Sequence, residues 1–262
     1  MNILYAYHNY LKHLQEEGTK ERKKDKGFHA SASGSCYRKQ MYSYFDYESD
    51  PIDEKGLRIL RMGTIVHKDV EDAIHHYMKT NANEIKDNNI SIFSEHKVKI
   101  PELNIVGTLD VAVYDGNSEI IDIYDVKTAA AYTWTKHFGR KDNRQQNANE
   151  NYKLQLGTYA LGMQLQVQPK KTNLHLFWYN KNTSMVREQL VIPDWIDKAF
   201  EYWTGLNEYL VEYGEKFVDY LEPEVEYGVP FEEWECGYCQ YESICPSKIK
   251  ERKQRNPRIR NK

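Results

Sequence analysis

Three consecutive stretches of alternating apolar and polar residues, then a helical stretch and two more strand-like runs, predict an α/β chain with a mixed sheet flanked by helices. The central pair, "NIVGTLDVAVY" (104–114) and "EIIDIYDVKTA" (119–129), is joined through Asp115-Gly116, a dipeptide suited to a tight turn between antiparallel strands. "ISIFSEHKVKI" (90–100) precedes this hairpin, and "NLHLFWYN" (173–180) and "MVREQLVI" (185–192) follow a helical segment. An antiparallel meander that resumes after a helix needs a crossover, which makes the sheet mixed.

Helical periodicity or composition marks residues 1–17, 33–47, 56–80, 148–168 and 193–218. Between the hairpin and the fourth of these, "AAAYTWTKHFGRKDNRQQN" (129–147) has no period; it is expected to be irregular, and long irregular segments in compact domains are usually functional or mobile. With 262 residues, 40% of them hydrophobic and 13% aromatic, the chain suffices for one sizeable core. Neither internal repeats nor a low-complexity linker divides it. The start, "MNILYAYHNYLKHLQEE", lacks the basic opening and small-residue cleavage site of a leader, and no segment reaches membrane-spanning length. The expectation is a cytoplasmic protein without a membrane partner.

A net charge of −3 conceals segregation: residues 212–235 are rich in Glu, whereas the tail "SKIKERKQRNPRIRNK" holds eight basic residues and one acidic. With "TKERKKDKG" (19–27) and the loop carrying Arg140, Lys141 and Arg144, these runs suit either a polyanionic partner or simple solvation. Trp134, His137 and Phe138 in the same loop suit either base stacking or a small satellite core. Four cysteines are too few for a secreted disulfide scaffold of this size. Cys36 stands apart, and "CGYCQYESIC" groups Cys236, Cys239 and Cys245. Four thiolates suit a 4Fe–4S cluster or tetrahedral zinc.

The hairpin ends its strands with charges where packing gains nothing: Asp110, Asp125 and Lys127. By alternation Asp125 and Lys127 share a face, and Val126 takes the other. In isolation such a pair reads as an ordinary surface ion pair. On the preceding helix His67 and Glu71 are four apart, as are Gln155 and Tyr159 on the later one, so each pair shares a helix face. If both helices pack against the hairpin, two carboxylates, an imidazole and an ammonium converge. Carboxylates suit Mg²⁺, and an imidazole tilts the set toward Mn²⁺.

The ordered set "GTIVH" (63–67), "GTLD" (107–110), "DVK" (125–127) and "QLGTY" (155–159) resembles the PD-(D/E)XK nuclease superfamily in its RecB-like exonuclease branch, over roughly residues 33–247. Leu109 stands where the superfamily name calls for Pro, a departure common in that branch. The resemblance implies a restriction-endonuclease-like α/β fold. It implies His67, Asp110, Asp125 and the Val126 carbonyl as metal ligands for Mg²⁺ or Mn²⁺. It also implies Asp110, Asp125 and Lys127 as catalytic residues, and Gln155 and Tyr159 as a motif that helps to hold DNA near the metal. The cysteine spacing resembles the iron–sulfur staple of CRISPR-associated RecB-like exonucleases and their phage relatives, which favours the 4Fe–4S cluster over structural Zn²⁺ and ties the chain ends together. The implied organisation is a single nuclease domain over 1–262, with staple segments at 33–47 and 232–247, a catalytic core at 56–192 and a basic tail at 248–262.

The function so implied is metal-dependent exonuclease action on DNA ends in recombination, repair or replication, with basic residues such as Arg140, Lys141 and Arg144 on the phosphate backbone. A short chain without a helicase suits phage recombination or replication in a host cytoplasm. The alternatives are a structure-selective endonuclease or end-trimming factor, a catalytically silent DNA-binding scaffold, and a redox-active iron–sulfur carrier. Intact Asp110, Asp125 and Lys127 weigh against the scaffold and would be left unexplained in the carrier.

Overall fold

A six-stranded mixed sheet organises the chain in a computed structural model that describes residues 2–140, 149–220 and 233–246. Strand β1 (Phe28–His29) is a short parallel addition, β2 (Ile90–Ile100) and β3 (Ile105–Asp115) form the first long antiparallel pair, and β4 (Ile120–Ala129) returns against β3. Strand β5 (Lys171–Asn180) then lies parallel to β4, and β6 (Val186–Val191) closes the edge antiparallel to β5. The expected crossover and mixed sheet are present. The Asp115 carboxylate caps the hairpin turn by accepting from the backbone N–H of Asn117 at 2.8 Å.

Helices α1 (Ile3–Lys24), α2 (Tyr37–Tyr44), α3 (Glu54–Thr80) and α4 (Ala82–Asp87) precede the long strands. Between β4 and β5 run α5 (Ala131–Phe138) and α6 (Glu150–Val167); α7 (Trp195–Tyr213) and the short α8 (Phe217–Tyr220) follow the sheet. Helix α5 occupies part of the segment expected to be irregular. Its eight residues are too few to display a helical period in sequence; packing of Trp134 against Phe138, with ring centroids 4.7 Å apart, stabilises it. Among the described residues no helix is long and apolar enough to cross a membrane.

Helix α6 is the fold's central post. It is buried nearly all round, with Leu154, Leu156, Tyr159, Ala160 and Met163 in the core, the pattern of a helix packed on every side. Two glycines permit this. A Cβ on Gly157 would lie 2.0 Å from the Trp195 carbonyl oxygen on α7, and one on Gly162 would lie 1.9 Å from the Val98 side chain on β2. Seated this deeply, α6 holds the side chains it turns toward β4 in fixed positions.

The segment after α2 meets residues 240–243. The Asp50 N–H donates to the Gln240 carbonyl at 2.6 Å, the Asp50 carboxylate accepts from the backbone and hydroxyl of Ser243, and Tyr42 packs against Tyr241 with centroids 5.1 Å apart.

Candidate active site

Strands β3 and β4 part company at the site. Their last paired residues are Val111 and Tyr124; beyond that pair the side chain of Asp110 takes over, its Oδ2 accepting the Val126 N–H at 2.6 Å. A carboxylate thus substitutes for a ladder carbonyl, so that the Val126 N–H is not left orphaned where the strands open, and Asp110 is pinned at the mouth of the gap. Asp125 and Lys127 project from β4 with one residue between them, as alternation requires. Asp125 is 1% exposed. Lys127 Nζ stands 2.6 Å from Asp125 Oδ2, an ion pair beyond which this buried oxygen has no hydrogen-bond partner among the described residues.

Two helices complete the group. From α3, His67 Nδ1 approaches Asp110 Oδ1 at 3.4 Å. From α6, Gln155 Oε1 accepts from Lys127 Nζ at 3.0 Å, and Gln155 Nε2 donates to the Tyr159 hydroxyl at 2.9 Å. Tyr152, one turn earlier on α6, sets its ring face 4.7 Å from the same ammonium, within cation–π range. The structure therefore brings His67, Asp110, Asp125, Lys127, Gln155 and Tyr159 together. Gln155 and Tyr159 are buried and act on Lys127 in this arrangement. Glu71 turns to Lys68, whose Nζ is 3.1 Å away.

The electrostatics follow from depth. Burial pushes the Asp125 carboxyl well above the usual carboxylate range, against the opposing pull of Lys127. Burial works to lower the Lys127 ammonium, but Asp125 beside it outweighs that effect and holds it above its ordinary value. His67 is likewise raised: Asp110 overcomes the opposing cost of burial. Lys127 is thus held as a cation beside Asp125.

Sequence reasoning missed two neighbours. Tyr152 was legible in principle, because 152, 155 and 159 fall on one helix face. Glu95, on β2 between Ser94 and His96, whose β3 partners Val111 and Leu109 flank Asp110, was not: its spacing is that of any strand residue, but its backbone adopts φ 48°, and burial, then Asp110 and Glu71, raise its carboxyl. Of the two readings of Trp134, His137 and Phe138, their contacts match the satellite core: besides the Trp134–Phe138 contact, His137 lies 4.5 Å from the Trp178 ring. Arg140 is exposed. Lys141, Arg144 and the tail at 248–262 lie outside the described residues.

A family model for the PD-(D/E)XK nuclease superfamily matches residues 6–246. The chain belongs to that superfamily. No curated protein matches this nuclease-superfamily chain. Among solved structures it is similar to the protein SSO0001, at 16% identity over 94% of this chain and 97% of that one with a TM-score of 0.48. A protein from Eubacterium rectale, provisionally described as an exonuclease, aligns at 15% identity over 73% of this chain and 82% of its own, TM-score 0.46. An alkaline exonuclease from Laribacter hongkongensis gives 12% identity, 52% and 66% coverage and a TM-score of 0.32.

The residues of this PD-(D/E)XK chain fit a divalent cation by donor chemistry: two carboxylates and an imidazole converge, and a buried carboxylate oxygen has Lys127 alone beside it. As the side chains stand, no group of three or more His, Cys, Asp or Glu among the described residues is spaced to hold a metal ion. The four cysteines form no disulfide. They do share a neighbourhood: burial pushes the Cys36 thiol up to about 12, with Cys239 and Cys236 adding to the rise, and burial and Cys245 raise Cys239.

Proposed function

We propose that this nuclease is a metal-dependent exonuclease of the RecB-like branch that hydrolyses phosphodiester bonds from DNA ends. The observation that carries the reading is the meeting of Asp110, Asp125, Lys127 and His67 from two strands and a helix at the point where β3 and β4 separate. In this reading residues 56–192 are the catalytic core and Cys36, Cys236, Cys239 and Cys245 hold a 4Fe–4S staple that joins segments 33–47 and 232–247.

His67, Asp110, Asp125 and the Val126 carbonyl would hold Mg²⁺ or Mn²⁺, which would acidify a water and offset the negative charge of a phosphate. The chain's own residues do the rest. Asp110, anchored by the Val126 N–H, keeps its other oxygen turned toward His67. Lys127, kept protonated by Asp125 and steadied by Gln155, presents a cation to the attacking water or to charge developing on the phosphate. Tyr159 fixes the Gln155 amide so that its oxygen faces the lysine. Arg140, Lys141 and Arg144 are proposed to contact DNA phosphates, making affinity salt-dependent and nearly independent of sequence.

Digestion of end-labelled linear DNA beside covalently closed circles, with Mg²⁺, Mn²⁺ or EDTA, tests the reading. Linear DNA should be degraded only with metal while circles survive. Rapid cutting of circles would favour the endonuclease alternative, and activity in EDTA would overturn metal dependence.

A further inference from the structure

Arg38 lies in the first turn of α2, two residues after Cys36, and is 3% exposed. Its Nη2 donates to the Val218 carbonyl at 3.1 Å and its Nη1 to Cys245 Sγ at 3.5 Å, while Nε has no hydrogen-bond partner. Among the described residues no carboxylate pairs with it. Arginine does not shed its proton in proteins, and a buried charge persists only beside an opposite one. One carbonyl and one neutral thiol are poor compensation for a guanidinium. A set of metal-bound thiolates is better, because ligated cysteines are deprotonated and four of them outweigh the charge of either a zinc ion or an oxidised 4Fe–4S core.

We propose that Arg38 is the buried counter-charge of a thiolate metal centre formed by Cys36, Cys236, Cys239 and Cys245. Through Nη1 it orients the Cys245 sulfur, and its positive charge favours retention of the anionic centre. Where the centre is an iron–sulfur cluster, it also favours the reduced form. The inference rests on the cysteine staple of the proposed function and is independent of the nuclease chemistry. The competing role is a plain structural tie from α2 to the Val218 carbonyl, and the two differ in what metal removal does.

The test uses the full chain purified without oxygen, as wild type, Arg38→Met and Arg38→Lys, with iron and zinc content, chelator competition and thermal unfolding before and after metal removal. Arg38→Met should lose its metal at about tenfold lower chelator concentration, and Arg38→Lys should stay close to wild type. Stripped of metal, the order reverses: Arg38→Met should melt at or above the stripped wild type, whose guanidinium has lost its counter-charge. A structural tie gives no such reversal. In iron-loaded protein the Arg38→Met reduction potential should move to more negative values. Metal retention and potential equal to wild type in Arg38→Met would overturn the proposal. If Arg38→Met does not fold, Arg38→Lys against Arg38→Gln makes the same comparison, and equal retention by those two overturns it. A wild-type chain that binds neither iron nor zinc through its cysteines removes the staple itself, a result visible before any variant is made.

Discussion

Strand β4 carries Asp122 and Asp125 on opposite faces of one sheet, and the two carboxylates are treated differently. Asp122 accepts from Asn173 Nδ2 at 2.9 Å and faces His175 Nε2 at 3.0 Å; His175 Nδ1 in turn meets Glu188 at 2.8 Å, and Tyr124 stacks on the imidazole at 4.5 Å. No buried side-chain polar atom of that group lacks a partner. Asp125 is more deeply buried, and one of its oxygens has only a neighbouring charge. A polar cluster that closes on itself contributes stability, whereas one left open in a protein interior is costly unless something else completes it. The open cluster is the candidate site.

The largest contrast is expected from alanine at the two positions. Asp125→Ala should reduce release of end label by about three orders of magnitude, whereas Asp122→Ala should leave turnover close to wild type. Comparable losses at both would erase the distinction. Next in size, Tyr152→Leu should lower kcat roughly tenfold by removing the ring face from Lys127, with Mn²⁺ and DNA affinity retained. Tyr152→Phe, which keeps the ring, should restore kcat; equal defects in the two would show that the hydroxyl or the packing matters instead.

Asp122→Ala should cost about 1–3 kcal/mol in denaturant unfolding, because it leaves His175 and Asn173 groups without their acceptor. The smallest effect concerns His137, whose imidazole burial lowers to about 4. Between pH 6.5 and that value the unfolded chain binds a proton that the folded chain refuses, so stability should fall with acidification across this window. His137→Phe should flatten that slope, read from melting temperatures over the same range.

The strands were legible almost to the residue. The alternation of Val111, Val113, Ile121 and Ile123 reports a half-buried surface directly, and nothing in the tertiary structure overrides it. The long helices were equally plain, though α1 runs to Lys24, beyond the expected residue 17, since its exposed polar end carries no apolar period. What the sequence hid depends on other parts of the chain. The two residues of β1 form a strand only because β3 offers an edge. Helix α5 also rests on contacts of His137 and Phe138 with Trp178 that no local pattern records. In the site, the residue types and their order were legible, and so were the shared faces of His67 with Glu71 and Gln155 with Tyr159. The role of Asp110 as a substitute for a ladder carbonyl was not, because it depends on where β3 and β4 separate. Likewise the attachment of Gln155 to Lys127 depends on how deeply α6 is seated, which the glycines at 157 and 162 allow but do not announce.

Lys127→Ala, assayed for hydrolysis of linear DNA alongside calorimetric titration with Mn²⁺, addresses the centre of this account. Loss of turnover with Mn²⁺ affinity largely retained is the expected result, since in the proposed function the lysine supplies a cation to the reacting groups and the carboxylates supply the ligands. Full turnover by Lys127→Ala would contradict it.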